Sequence, residues 1–143
     1  MTGCTMTEES YKHRELTDAI ICCFYTVYNT LGYGFLEKVY ENALLAELEI
    51  RGISALAQSP ISVFYGNRQV GEYFADILVD NKVIVEVKAV KNLAPEHEAQ
   101  LLNYLKATDV EVGLLLNFGP QPQVKRRSFE NERKRGIKLN SRQ

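Results

Sequence analysis

Two carboxylates and one amine fall on a single predicted β-hairpin of this sequence. Asp76 lies in the first strand of the hairpin, and Glu86 and Lys88 lie in the second. Successive side chains of a strand point to opposite faces, so Glu86 and Lys88 share one face of the sheet. Two acids and an amine on one face make a poor core, but oxygen ligands of this kind suit a hard metal ion.

The register of the hairpin decides whether all three groups can act together. Asp76 shares the Glu86 face only if the two residues pair, which requires an odd loop such as residues 80–82 or a bulge. Asn81 suits such a loop because asparagine tolerates positive φ. The alternative is a solvated hairpin with an ordinary cross-strand Glu–Lys pair. Against it, residues 83–90 are almost continuously apolar, which predicts a central strand buried on both faces.

Composition indicates one compact domain. The chain has 143 residues and a hydrophobic fraction of 45%, enough for a single core. No apolar run approaches the roughly 18 residues of a membrane span, and residues 1–10 contain Glu8 and Glu9 without a signal-type apolar segment. We therefore expect a cytoplasmic protein with no membrane contact. The predicted domain covers residues 8–130, and residues 131–143 form a basic C-terminal tail.

The net charge of −1 conceals an asymmetry along the chain. Residues 123–143 contain eight Lys or Arg and two Glu, so this segment carries +6 and the rest of the chain carries −7. A solvated end is the common meaning of such a charge run, but a basic segment beside an acidic body can also hold phosphate groups. On an edge strand flanking the acids, Lys125, Arg126 and Arg127 would contact nucleic acid.

Hydrophobic periodicity predicts the elements that position these residues. Helices are expected over residues 8–31, 36–51 and 95–107, because apolar residues recur there at helical spacing and glycine or proline marks their ends. Strands are expected over residues 61–65, 69–79, 83–90 and 111–117, with an optional edge strand over 124–129. The fold class is therefore α/β, a mixed sheet flanked by helices in the order α-α-β-β-β-α-β(-β).

Two helical features accompany the hairpin acids. Glu37 begins the second helix, with Tyr40 and Glu41 on neighbouring positions of one face. An acid in a first helical turn is also a plain complement to the helix dipole. In the third helix, Gln100 and Tyr104 are four residues apart, a spacing that alone indicates only the boundary between core and surface.

Together these residues resemble the PD-(D/E)XK nuclease superfamily, and within it the small family named for its G-x-x-E-x-x-Y motif. That motif occupies residues 34–40, the second signature is Asp76 with E-x-K at residues 86–88, and residues 100–104 are similar to the Q-x-x-x-Y element of RecB-type nucleases. The likeness covers roughly residues 11–119. It implies a restriction-endonuclease-like fold.

The resemblance also implies chemistry. Asp76, Glu86 and Glu37, with the backbone carbonyl of Val87, would bind Mg²⁺ or Mn²⁺, and Lys88 would serve as the catalytic amine. Gln100 and Tyr104 would hold Lys88 or a phosphate oxygen by hydrogen bonds. The cysteine set of the relatives that carry an iron–sulfur cluster is missing, so no such cluster is expected.

The resulting hypothesis is a Mg²⁺-dependent nuclease acting on DNA ahead of RNA. Because the chain has no room for a separate recognition domain, its specificity would come from a homo-oligomer or a protein partner. The alternatives are a non-catalytic nucleic-acid-binding or partner-regulating module on the same fold, and a dimerisation protein that uses its first helix. Fold alone does not decide between them.

Overall fold

A computed structural model describes residues 11–134 of the chain. The observed order of elements, α-α-β-β-β-α-β-β, is the predicted one and includes the edge strand. The helices and strands are α1 Arg14–Leu31, α2 Glu37–Ile50, β1 Ala55–Tyr65, β2 Arg68–Val79, β3 Val83–Lys88, α3 Pro95–Lys106, β4 Val112–Phe118 and β5 Pro122–Ser128. Among the described residues, no helix is long and apolar enough to cross a membrane.

The sheet has five strands in the order β1-β2-β3-β4-β5. The β3–β4 pair is parallel and every other pair is antiparallel, because α3 returns the chain across the sheet between β3 and β4 while tighter turns join the rest. β3 is central and buried along almost its whole length, as its continuous apolar sequence predicts. The mixed α/β fold class is therefore confirmed.

Helices cover both faces of the sheet. α1 and α2 pack on one face, where Phe24, Tyr40 and Leu44 join the inward side chains of β2, β3 and β4 in the larger core. α3 packs on the other face, where Leu101 and Leu105 form a smaller core with residues of β1 and β4. α2 and α3 thus contact β3 from opposite faces of the sheet.

The β2–β3 hairpin has the predicted odd loop. β2 ends at Val79 and β3 begins at Val83, so three residues connect them, and both Asp80 and Asn81 have positive φ, of 53° and 55°. The ladder pairs Val79 with Val83 and Ile77 with Val85. The same register places Asp76 opposite Glu86.

Several element boundaries differ from those predicted. β1 begins at Ala55 instead of Ile61, because an edge strand accommodates Pro60 without losing a ladder bond. β3 ends at Lys88 instead of Val90, and β5 begins and ends earlier than expected. α1 begins at Arg14, and the predicted start at residues 8–10 lies outside the described residues.

Only the first residues of the predicted basic tail are described. Asn131–Arg133 form a 3-10 turn, and the buried Lys134 ammonium donates hydrogen bonds to the carbonyl oxygens of Thr108 and Val110. These contacts fasten the chain beyond β5 to the loop before β4. Residues 135–143, including the remaining basic residues of the tail, lie outside the described part.

Candidate active site

Asp76 and Glu86 interlock at the point where the β2–β3 ladder stops. The Asp76 N–H donates to Oε2 of Glu86 at 2.9 Å, and the Val87 N–H donates to Oδ2 of Asp76 at 2.8 Å. Carboxylate oxygens therefore replace the carbonyl partners that the next rung of the ladder would use. The two acids are held in adjacent positions by the backbone itself.

Burial and proximity make this pair difficult to ionise. The Glu86 side chain is buried, and burial, followed by the charge of Asp76, raises the pKa of Glu86 to about 8. Burial is also the largest cause that raises the pKa of Asp76, to about 6, while the hydrogen bond from the Val87 N–H opposes it. Both carboxyl groups would therefore gain from a nearby positive charge.

Lys88 supplies one such charge. The Lys88 ammonium lowers the pKa of both Asp76 and Glu86, although burial outweighs it at each. Lys88 pairs with Asn117 of β4, and the fully buried Asn117 amide bonds both the N–H and the carbonyl oxygen of Val90. The chain that leaves β3 after Lys88 is thereby fixed. No local pattern in the sequence indicates this role of Asn117.

The G-x-x-E-x-x-Y motif has a structural explanation. The Tyr40 hydroxyl donates to the carbonyl oxygen of Gly32 at 2.6 Å and accepts from the Phe35 N–H at 3.2 Å, so it fixes the turn that precedes α2. Gly34 has φ of 116°, a conformation that favours glycine. The motif's glycine and tyrosine therefore set where α2 and its first residue, Glu37, begin.

Glu41, one turn further along α2, interacts with the acid pair more than Glu37 does. The charge of Glu41 raises the pKa of both Asp76 and Glu86, whereas Glu37 affects Asp76 and is the smallest of its causes. Glu41 is buried and accepts hydrogen bonds from Lys38 and Gln58, each at 3.2 Å. Sequence reasoning does not assign Glu41 to the site. The sequence could have indicated Glu41 by its position, because it follows Tyr40 and lies four residues after Glu37 on neighbouring positions of one helix face.

Gln58 lies in β1 directly across from Asp76. Its neighbours Ala57 and Ser59 pair with Ile77 and Ala75, but Gln58 itself has φ of 54°, outside the range of a strand. A non-glycine residue in the left-handed region costs about 1–3 kcal/mol, so the surrounding structure must hold it there. This conformation accompanies the hydrogen bond from Gln58 to Glu41.

The two-stranded ribbon formed by β1 and β2 changes, at this position, the face of the sheet to which its alternate side chains point. Ala75 packs in the smaller core beneath α3, whereas Ile77, two residues later, packs in the larger core beneath α1 and α2. Residues two apart in a regular strand face the same way. β1 shows the same change, since Ala55 packs with the larger core and Ile61 with the smaller one. Asp76 and Gln58 mark the crossover.

The Q-x-x-x-Y residues border the acids from the α3 side. Burial and the charges of Glu86 and Asp76 raise the pKa of Tyr104 to about 12. Gln100 and Tyr104 line one cavity beside α3. Within residues 11–134, Gln100 makes no hydrogen bond to Lys88, so that predicted contact is not formed here.

The three basic residues of β5 do not share a face. Arg126 stacks on the Tyr11 ring, 4.0 Å from its centroid, and donates to the Lys12 carbonyl oxygen. Arg127 forms an ion pair with Glu98 of α3. Lys125 is exposed and lies in register with Leu115, which in turn pairs with Glu86. Lys125 is therefore two strands from Glu86, about 10 Å across the sheet.

The carboxylates of Asp76 and Glu86 are suitable ligands for a hard cation, but a third side-chain ligand is not assembled with them among the described residues. Asp76 and Glu86 offer adjacent carboxylate oxygens, which Mg²⁺ and Mn²⁺ prefer, and burial is the largest cause of their raised pKa values, which a bound cation would lower. Among residues 11–134, no group of three acidic, histidine or cysteine side chains is close enough to hold a metal ion. Glu37 is therefore not assembled with the pair.

Comparisons with known proteins agree with this geometry. The family model of the PD-(D/E)XK nuclease superfamily matches residues 14–128. The chain belongs to the PD-(D/E)XK nuclease superfamily. The match contains every described element from α1 to β5, so the observed sheet with its flanking helices is the fold of this superfamily.

Solved structures with a similar fold are known, and one of them has the following likeness. It is described as "Crystal structure of SSO0001" and has 15% sequence identity and a TM-score of 0.51. The similarity covers 83% of this chain and 58% of that one, so the present chain spans little more than half of its length. At this identity the likeness concerns the fold alone. No curated protein sequence matches the chain.

Proposed function

We propose that this protein is a Mg²⁺- or Mn²⁺-dependent nuclease that hydrolyses phosphodiester bonds of DNA, with RNA as the second candidate substrate. Membership of the superfamily makes nuclease-like chemistry the first expectation. The observation that carries the proposal is the interlocked Asp76–Glu86 pair with the Lys88 ammonium beside it. We also assign the chain to the G-x-x-E-x-x-Y family and its α3 motif to the RecB type.

Four groups would hold the cation: the carboxylates of Asp76, Glu86 and Glu37 and the backbone carbonyl of Val87. When bound, the cation would polarise the scissile phosphate and lower the pKa of a bound water. Neither Glu37 nor Glu41 is assembled with the acid pair among the described residues, so one of these two carboxylates would have to approach when the site is loaded.

Lys88 serves a different step. Its ammonium orients the attacking water and stabilises the negative charge that develops on the phosphate oxygens. Asn117 keeps the end of β3 rigid, so the amine is held in place before substrate binds. Tyr104 and Gln100 donate hydrogen bonds to a phosphate oxygen from the α3 side.

Purified protein incubated with single- and double-stranded DNA and RNA tests the proposal, with Mg²⁺, Mn²⁺ or a chelator. Cleavage is expected with either cation and none with the chelator. Lys88→Ala should lower the rate about 10²- to 10⁴-fold while Mn²⁺ binding persists, because the amine acts on the transition state. Lys91→Ala, an exposed lysine three residues later, is the matched control.

Three results would overturn the proposal. Full activity of Lys88→Ala would make the amine structural. Cleavage in the presence of chelator would remove the metal from the chemistry. Tight nucleic-acid binding without cleavage of any substrate would establish the non-catalytic module instead.

A further inference from the structure

A cavity of about 470 Å³ lies between α3 and the β1–β2 ribbon, next to the acid pair. Its polar and aromatic lining includes Tyr73, Glu96, Gln100, Asn103, Tyr104 and Lys106. Tyr104 lines the cavity and also packs in the smaller core with Ala75, the residue before Asp76. The cavity therefore lies beside the proposed active site. Its volume is in the range of sites that enclose a small molecule or one part of a larger ligand.

The walls of the cavity offer an aromatic surface. Tyr73 is 50% exposed, and its ring centroid lies 5.8 Å from that of the buried Tyr104, with the ring planes at 44°. A half-exposed tyrosine beside a concave surface can stack on a flat ligand. Stacking of nucleobases on such rings is a common source of affinity in proteins that bind single strands.

Polar groups around this surface suit an uncharged ligand. Asn103 presents an exposed amide, which can donate to and accept from a base edge. Within the part of the chain that the structure describes, this amide is not hydrogen-bonded to another side chain. Glu96 and Lys106 contribute one negative and one positive charge, so the cavity is close to neutral. A neutral base therefore fits it better than a phosphate group.

We propose that this cavity binds one unpaired nucleobase of the strand whose phosphate lies at Asp76 and Glu86. The ligand class rests on the proposed function, because the nuclease site next to the cavity supplies the phosphate. A base inside a duplex is stacked and paired, and its extrusion costs free energy. The cavity therefore selects single-stranded or locally unpaired nucleic acid over intact duplex.

The test is a double-mutant cycle in which the Tyr73 side chain and one base of the strand are removed separately and together. The Kd of Lys88→Ala protein for fluorescent single-stranded DNA is measured with Mg²⁺ present. A series of strands is used, each with one abasic residue at a different position. At one position the abasic residue should weaken Kd about tenfold, and Tyr73→Ala should weaken Kd for the intact strand by about the same factor. Tyr73→Ala should then be insensitive to the abasic residue at that position, because the two changes remove one contact.

Two variants serve as controls. Tyr73→Phe keeps the ring and should bind like its parent. Tyr65→Ala removes another exposed tyrosine of the same ribbon, 81% exposed near its tip, and should leave Kd unchanged. Additive losses in the cycle, an equal loss with Tyr65→Ala, or equal affinity for duplex and single strand would each overturn the inference.

The cavity and the catalytic proposal can fail separately. Metal-dependent cleavage of duplex DNA without any effect of the abasic residue would refute the base site and leave the nuclease function standing. A base-dependent contact at Tyr73 in a wild-type protein that cleaves no substrate would support the base site and refute the catalytic function.

Discussion

Substitution of Glu86 by glutamine should remove most of the pH dependence of folding stability above pH 6.5. Burial and the Asp76 charge raise the pKa of Glu86 from 4.5 to about 8 in the folded protein. Between these two values the folded state keeps a proton that the unfolded state has lost. Stability therefore falls as pH rises through this window, since the folded state binds more protons than the unfolded state.

The expected size of the effect follows from that window. One proton of difference lowers the free energy of unfolding by about 1.4 kcal/mol per pH unit. From about pH 6.5 to 8 the free energy of unfolding of the wild type should fall by about 1–2 kcal/mol, which corresponds to a few degrees in Tm for a chain of this length. Asp76, whose pKa is raised to about 6, contributes mainly below this interval. In Glu86→Gln the amide oxygen of the new side chain can still accept the Asp76 N–H, so the fold should persist.

Urea unfolding at about pH 5.5, 6.5, 7.2 and 8 measures the effect in buffers that contain a chelator. The control is Glu72→Gln, which changes an exposed glutamate of the neighbouring strand β2 and should keep the wild-type dependence of the free energy of unfolding on pH. Saturating Mg²⁺ should restore the stability of the wild type at high pH, because a ligand at about 100 times its Kd adds about 2.7 kcal/mol to the free energy of unfolding. The account of the acid pair would be refuted if the free energy of unfolding of the wild type did not change with pH. It would also be refuted if Glu86→Gln kept the full pH dependence of the wild type.

Three further predictions concern the surroundings of the pair. Glu41→Gln should lower the pKa of Asp76 more than Glu37→Gln does, as NMR titration of the Asp76 carboxyl would show, because the Glu41 charge is the larger cause; equal shifts would contradict this. Gln58→Gly should preserve or raise Tm by relieving left-handed strain yet lower kcat, because Glu41 loses a donor; unchanged kcat would make Gln58 irrelevant to the site. Lys125→Gln should flatten the log–log salt slope of single-strand binding by about 0.7; an unaltered slope would leave Lys125 merely solvated.

The sequence carried enough information to predict the hairpin that holds the acids. The continuous apolar run of β3 marked a central strand, and its alternation fixed which side of the strand Glu86 and Lys88 occupy. Asn81 tolerates the positive φ that an odd loop requires, which favoured the register that the structure shows. These are local signals, and local signals are what a single sequence displays.

Contacts between distant segments were not predictable in the same way. Gln58 meets Glu41 across 17 residues and Asn117 meets Val90 across 27, and neither pair has a periodic pattern that would indicate it. The first half of β1 was missed because Pro60 argues against a strand unless the strand is known to be at an edge. Alternation along β5 places Arg126 on the side opposite its neighbours, but its contacts with Tyr11 and Lys12 join segments far apart in the sequence and were not predictable.

The change of face at Gln58 and Asp76 links the acid pair to the cavity. In a regular β2 strand, Tyr73 and Ala75 would face α1 and α2 together with Ile77, and the Tyr73 ring could not approach Tyr104. The crossover turns the ribbon toward α3 and interrupts the ladder at Asp76, where the Glu86 carboxylate takes the place of a carbonyl partner. A single distortion therefore produces both the interlocked carboxylates and the aromatic wall beside them. Because the surrounding structure holds Gln58 at the cost of a left-handed φ, strain at this position serves the site more than the stability of the sheet.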